Sequence, residues 1–446
     1  MNVSALPYQK DKVDPAAFVG GLKVVDREGD VPAWLADARR RAAGRFIASG
    51  LPTQKVEEWK FTDLRVLSQQ SFVPVPAAVL SVRAVLDVLS VRLIMGPRLV
   101  FMDGWFMSEA SDVSGLPDGV TVGPLSEIIG DGSDVNLSRR AFEMDEADEH
   151  SPLSDLNTAL AGEGAVLRIG RGVKCSQPIS IVFIGGGMEN AAFHPRNLVI
   201  IEEGASAALI EHHIGAVPHA YLANQVSRID VGAGACLIHA VVQDVPTQAY
   251  DLAASWVSVA NNALYEGFFL AVGGKLSRQE ISVRLLGKGA ECRLSGAYLL
   301  RGEQHADMTT FIHHEVPHTS CSEVFKGVVD DRSRGVFQGR IVVCKGADKT
   351  NGHQSSKAIL LSDEATVNTK PELEIYADDV KCSHGSTMGE LDDASIFYMR
   401  SRGISESRAR VLLIEAFVDE ALDGISVECL RDAVRARSSG WLRGAK

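Results

Sequence analysis

The chain has 446 residues, enough for about three domains of ordinary size or one long core with appendages, so it needs no staples to fold. Hydrophobic residues make up 46% and charged ones 23%, the balance of a soluble protein, which disfavours both extensive disorder and a membrane-protein composition. Acidic residues outnumber basic ones by 57 to 45, and the resulting net charge of −12 disfavours a binder of polyanions, whose affinity must come from Lys and Arg neutralising phosphates.

The first unit, residues 1–97, reads as mainly helical and polar. Asp30 and Pro32 are start signals, Leu35, Ala38, Ala42 and Phe46 follow at spacings of three or four, and Gly50 and Pro52 stop the helix. The run AAVLSVRAVLDVLSVRL is left open between helix and strand, because a short apolar run does not declare its period. From Arg98 to Asp393 the character changes to β-branched runs punctuated by glycine, and helical starts become scarce. A loose phrase recurs there as EGAVLRIG, EEGASAALI, VGAGACLIH, KGAECRLSG and DEATVNT. Its glycines fall at irregular intervals (Gly164, Gly204, Gly234, Gly289), so no single fixed period is expected. Ile281, Val283 and Leu285 alternate with Ser282 and Arg284, so one strand face can point inward. With few hairpin dipeptides nearby, a parallel β-helix is favoured over a sandwich. Residues 394–446 turn helical again, with Val411, Ile414, Val418 and Ala421 on one stripe, Val427, Leu430 and Val434 on another, and Gly403 and Gly424 as stops.

Seven cysteines (Cys175, Cys236, Cys292, Cys321, Cys344, Cys382, Cys429) are scattered without short pair spacing, which indicates neither a disulfide framework nor a C-x-x-C site. The N-terminus lacks a basic start followed by an apolar run, and no stretch approaches 18 unbroken apolar residues. A cytoplasmic protein without a membrane span is expected.

Three motifs invite chemistry. His314-Glu315-Val316-Pro317-His318 matches the zinc-peptidase pattern H-E-x-x-H, but that chemistry needs a helix, and an interior proline costs a helix about 3 kcal/mol. The flanks read as strand and loop, so the segment is expected to be structural. No phosphate cradle G-x-x-x-x-G-K-[ST] exists, and the glycine clusters at Gly185–Gly187 and Val231–Cys236 read as turns rather than dinucleotide sites. The segment EIYADDVKCSHG gathers Asp378, Asp379, Cys382 and His384, and thiolate and imidazole are donors that iron or zinc would choose. On an extended segment Cys382 and His384 share a face, yet two donors do not close a four-coordinate site, so further ones would have to come from elsewhere.

The stretch from Phe325 to Arg402, which includes VKCSHG at Val380–Gly385, resembles the C-terminal core of the SufB/SufD family of iron–sulfur cluster assembly scaffolds. VKCSHG, together with EEWKFT at Glu57–Thr62, is characteristic of the SufD branch. The resemblance covers most of the chain and is weakest from Ser68 to Ser154. It implies a right-handed parallel β-helix over about 98–393, flanked by N-terminal and C-terminal helical regions. It further implies a non-enzymatic subunit that pairs with a SufB-like paralogue through the β-helices and carries a SufC-like ATPase on its C-terminal helices. A nascent iron–sulfur cluster, or iron, would sit transiently at the interface with SufB, with His384 as the contributed ligand and Cys382 beside it in an open role. No cofactor would be tightly bound to the isolated chain. For the ATPase, Ile396, Phe397, Val411, Ile414 and Phe417 supply more apolar surface than short helices bury against a β-helix, so a partner is expected there. The competing readings are a SufB-type scaffold acting as a homodimer, a carbohydrate-active β-helix enzyme, which would call for a secretion signal, and a metallohydrolase built on the His314 segment.

Overall fold

From Ala165 to Gly389 the chain winds as a parallel β-helix in which each strand pairs with the one a full turn away, so consecutive strands fall in opposite sheets, save Ala191–Phe193 and Arg196–Ile201, which both pair with Tyr221–Val231. The computed structural model describes residues 15–18, 31–68, 70–75, 81–91, 96–131, 135–143 and 151–443. One sheet runs from Ala165–Ile169 to an edge at Thr366–Ile375, and the other from Ile179–Gly185 to an edge at Lys381–Gly389. Alternating side chains point into the space between them and stack in rows. Leu167, Val199, Ile229, Val257, Val283, Ile312 and Ile341 stand in register along one such row, all of them buried. Burying each stabilises the fold by roughly 1.5–3 kcal/mol relative to exposure. Ile281, Val283 and Leu285 are all inward, as their alternation implied.

The corners correct the expected irregularity of the repeat. Gly172, Gly204, Gly234, Asn262, Gly289, His318 and Lys349 occupy successive copies of one corner with φ between 53° and 73°. Their amides bond up the stack, as in Gly204 N to Ala233 O at 2.9 Å, Gly234 N to Asn261 O at 2.8 Å and Asn262 N to Lys288 O at 2.9 Å. The glycine phrase therefore skipped a turn wherever Asn262, His318 or Lys349 took the left-handed position, and Gly164 is not a corner residue of this stack. Asn tolerates that conformation because its short polar side chain bonds locally.

The N-terminal side is more helical than the residue pattern implied. Ala33–Ser49 forms the expected helix with Leu35, Ala42 and Phe46 buried, while Asp30 lies outside the described residues. The ambiguous run resolves as a helix over Val82–Val91 that buries Val85 and Leu89. Within 98–393, three further helices (Leu125–Asp131, Val135–Phe142, Pro152–Leu160) lie where β-branched runs with few helical starts were expected. In the last of these Pro152 sits in the first turn, where its missing N–H is harmless.

EEWKFT clamps this region to the first sheet. Trp59 is buried beneath the Arg278 guanidinium, 3.9 Å above its ring, and Arg278 is itself paired with Asp307 and Glu280. Thr62 donates to Asp307, Glu57 pairs with Lys370 at 2.6 Å, and the Glu58 carbonyl accepts from Gln338 at 3.0 Å.

At the other end, helices Asp393–Ser401, Glu406–Leu422 and Glu428–Arg443 follow the last strand. Ile414, Val418, Leu422, Ile425, Leu430 and Val434 cover the outward face of the second sheet over Phe268, Leu270, Leu299 and Val328. Buried Lys326 reaches out of that sheet to Glu420, its ammonium 4.6 Å from the Phe417 ring centre. Gly403 ends the first of these helices with φ 86°. Gly424 serves differently, because a Cβ there would stand 2.7 Å from Ser295 Oγ on the sheet.

Candidate functional site at the open end of the β-helix

Cys382 and His384 lie on the last strand, Lys381–Gly389, which pairs with Asn351–Leu360 on one side and with nothing on the other among the described residues. Register puts them at the ends of two neighbouring inward rows. One row reads Tyr265, Cys292, Cys321, Gly352, Cys382, and the other Leu294, Glu323, Gln354, His384. Cys382 is half-buried against the apolar core, whereas His384 is exposed because no further turn covers it.

The two rows differ in polarity. Gln354 Nε2 donates to Glu323 Oε2 at 2.6 Å, and both side chains are fully buried. Burial pushes the Glu323 carboxyl up to about 7 despite the bond from Gln354. Burial likewise raises the Cys321 thiol well above its ordinary value, and raises that of Cys382. Around His384 the surface is polar. His353 Nδ1 lies 2.9 Å from Ser383 Oγ, Thr369 Oγ1 meets Ser386 Oγ across the two sheets at 2.7 Å, and Lys349 pairs with Asp379 at the adjoining corner. Ile375, Tyr376 and Met388 are exposed on the same last turn. Among the described residues no group of three or more His, Cys, Asp or Glu side chains is arranged to hold a metal ion. The end of the β-helix thus offers a small number of donors facing outward, and a complete site needs others.

The apolar C-terminal residues separate into two sets. Ile414, 5% exposed, and Phe417 pack in the cluster that holds the helices to the sheet, Ile396 is buried to the same degree, and Val411 is half-buried. Phe397, at 73% exposed, and its neighbour Tyr398, at 60%, face solvent. The H-E-x-x-H segment is no metal site. His314 is the buried last residue of a strand, Glu315 pairs with Arg284 at 2.6 Å, and His318 occupies a left-handed corner. A cavity of about 390 Å³ lies at the opposite end of the β-helix, lined in part by Leu35, Phe72, Asp103, Trp105 and Phe193. It is remote from Cys382 and His384 along the stack. No described helix is long and apolar enough to cross a membrane.

Residues 183–417 match the SufBD core domain of the SUF iron–sulfur cluster assembly system, and residues 28–181 match the SufBD N-terminal region. The chain is 31% identical to an iron–sulfur cluster assembly SufBD family protein of Synechocystis, over 90% of each chain. It is 30% identical to the iron–sulfur cluster assembly protein SufD of Escherichia coli, over 90% of this chain and 91% of that one. With Arabidopsis chloroplastic protein ABCI7 it shares 28% identity over 91% of its own length and 85% of the relative's. By sequence over nine-tenths of its length, and by the two domains it matches in turn, the chain belongs to the SufBD family of iron–sulfur cluster assembly proteins.

Proposed function

We propose that the chain is a non-enzymatic scaffold subunit of the cytoplasmic SUF machinery, pairing end to end with a SufB-like paralogue while a SufC-like ATPase docks on its C-terminal helices. A nascent cluster is its cargo, held transiently at the shared end with His384 as this chain's ligand. The observation that carries the reading is the uncovered last turn, where an imidazole at the end of an inward row faces outward beside two strand edges that are unpaired among the described residues. Strand edges left unpaired invite another chain's strand, and a ligand placed there is completed only when that strand arrives. Exposed Phe397 and Tyr398 on the first C-terminal helix give the ATPase an aromatic anchor. Imidazole nitrogen is among the donors that iron takes.

Co-expression with the paralogue and the ATPase, followed by tagged isolation and native mass measurement, tests the arrangement. The expected complex contains one copy of this chain per paralogue and loses the pairing in Met388→Asp. If the paralogue is excluded and a homodimer forms that Met388→Asp disrupts, the homodimeric scaffold replaces this reading.

A further inference from the structure

The polar row that ends at His384 holds one unmet hydrogen-bonding group. Gln354 is wholly buried, its Nε2 donates to Glu323 Oε2 at 2.6 Å, and its Oε1 has no hydrogen-bond partner among the described residues. A buried amide oxygen left unpaired is costly, so a donor should lie within its reach. The amide cannot simply turn round to find one. An ionised Glu323 only accepts, which keeps Nε2 on its side. The amide nitrogen also fills the space that a side chain at position 339 would take, since a Cβ on Gly339 would stand 2.1 Å from it.

The row supplies the donor. Glu323, Gln354 and His384 are successive ladder partners, so Glu323 lies one strand before Gln354 and His384 one strand after it. Nitrogen and oxygen diverge from one planar carbon, and with the nitrogen committed to the earlier strand the oxygen is left on the side of the later one. Neighbouring strands stand about 4.8 Å apart, and side chains bridge such a step in this molecule. Glu323 and Gln354 do so, and His353 Nδ1 lies 2.9 Å from its ladder partner Ser383 Oγ across the same two strands that carry Gln354 and His384. His384 is exposed, and no further turn among the described residues obstructs its rotation, which for such a side chain is fast.

We propose that Gln354 is the positioning residue for His384: its Oε1 accepts the Nδ1–H of the imidazole, which holds the ring in the row and leaves Nε2 as the nitrogen presented at the open end. Nδ1 is the ring nitrogen nearer the strand, hence the one that a neighbouring side chain reaches. A hydrogen bond at one imidazole nitrogen sets which of the two keeps its lone pair for a metal. The purpose of this bond rests on the reading of His384 as the cluster ligand, whereas the bond itself requires neither a partner chain nor a cluster.

Nitrogen-15 NMR of the full-length chain labelled at histidine, run at about pH 8.5 and so above the ordinary imidazole value, tests the bond. His384 is identified by the signals that disappear in His384→Ala. Neutral histidine in water favours the Nε2–H form. In the unmodified chain His384 should instead be mainly Nδ1–H, and Gln354→Met, which keeps the length of the side chain without its acceptor, should return it to Nε2–H. Ser383→Ala, which alters only the neighbouring His353 contact, should leave His384 as it was. In the assembled complex Gln354→Met should slow cluster formation about tenfold. An Nε2–H majority in the unmodified chain, a result that needs no variant to fold, would overturn the proposal. So would an Nδ1–H form that persists in Gln354→Met, or normal cluster formation in Gln354→Met where His384→Ala abolishes it. If His384→Ala itself forms clusters normally, the ligand reading fails while the tautomer still decides the bond.

Discussion

His384 and Glu323 stand in the same inward row, two strands apart, and their positions give them opposite sensitivities. His384 is exposed, so His384→Ala should change stability by no more than about 0.5 kcal/mol and leave complex assembly intact. Cluster formation on the assembled complex, followed by the visible absorbance of sulfide-bound iron, should fall sharply; a normal rate would make the residue structural. Glu323 is wholly buried, and its carboxyl is raised from an ordinary 4.5 to about 7. The folded chain therefore holds a proton that the unfolded chain has lost between those two pH values, so stability falls as pH rises through that window. The full loss, on the order of 3 kcal/mol, is reached above pH 7. Glu323→Gln should flatten that slope in urea titrations run from pH 5 to 8. The motif VKCSHG made His384 and Cys382 legible from the sequence. Gln354, Glu323 and Cys321 were not, because their relation to the motif exists only once the turn length is known: Cys292 and Cys321 are one turn apart, and Cys382 is two turns further on.

At the scale of the element, strand alternation was legible and corner chemistry only half so. Glycine announces a left-handed corner, but Asn262, His318 and Lys349 fill the same position silently. The corners need not be equal in tolerance. At Gly204 a Cβ would meet nothing nearer than Gly172 Cα at 4.0 Å, so Gly204→Ala should lose only the conformational term, about 1–2 kcal/mol. At Gly289 a Cβ would lie 2.2 Å from Asn262 Oδ1 in the turn below, so Gly289→Ala should be the more destabilising of the two by thermal unfolding. The C-terminal helices carry a similar division of labour. Their apolar stripe, read from spacing as a docking surface, is largely consumed by the sheet face it covers, since periodicity shows that a face is apolar without showing what lies against it. Removing the helices would uncover Phe268, Leu270 and Leu299, so a point substitution is the cleaner test of docking. Phe397→Asp should leave the melting temperature unchanged and weaken association with the ATPase at least tenfold in a binding titration.

For the whole molecule, the β-helix was foreseeable from clean alternation without hairpin signals, and the helices Leu125–Asp131, Val135–Phe142 and Pro152–Leu160 were not, because none exceeds nine residues and so short a run does not declare a helical period. The two ends of the β-helix are built differently. At the first end, Val120–Pro124 runs antiparallel along Ala165–Ile169, and Trp105–Phe106 folds back antiparallel on Arg98–Met102, so the outermost strands oppose the direction of the stack. At the last end, the parallel strands Thr366–Ile375 and Lys381–Gly389 stop without such a stopper among the described residues. On the proposed pairing, a rod with one sealed and one receptive end halts at a pair: once two receptive ends meet, each remaining terminus is a sealed one, without any regulator having to count.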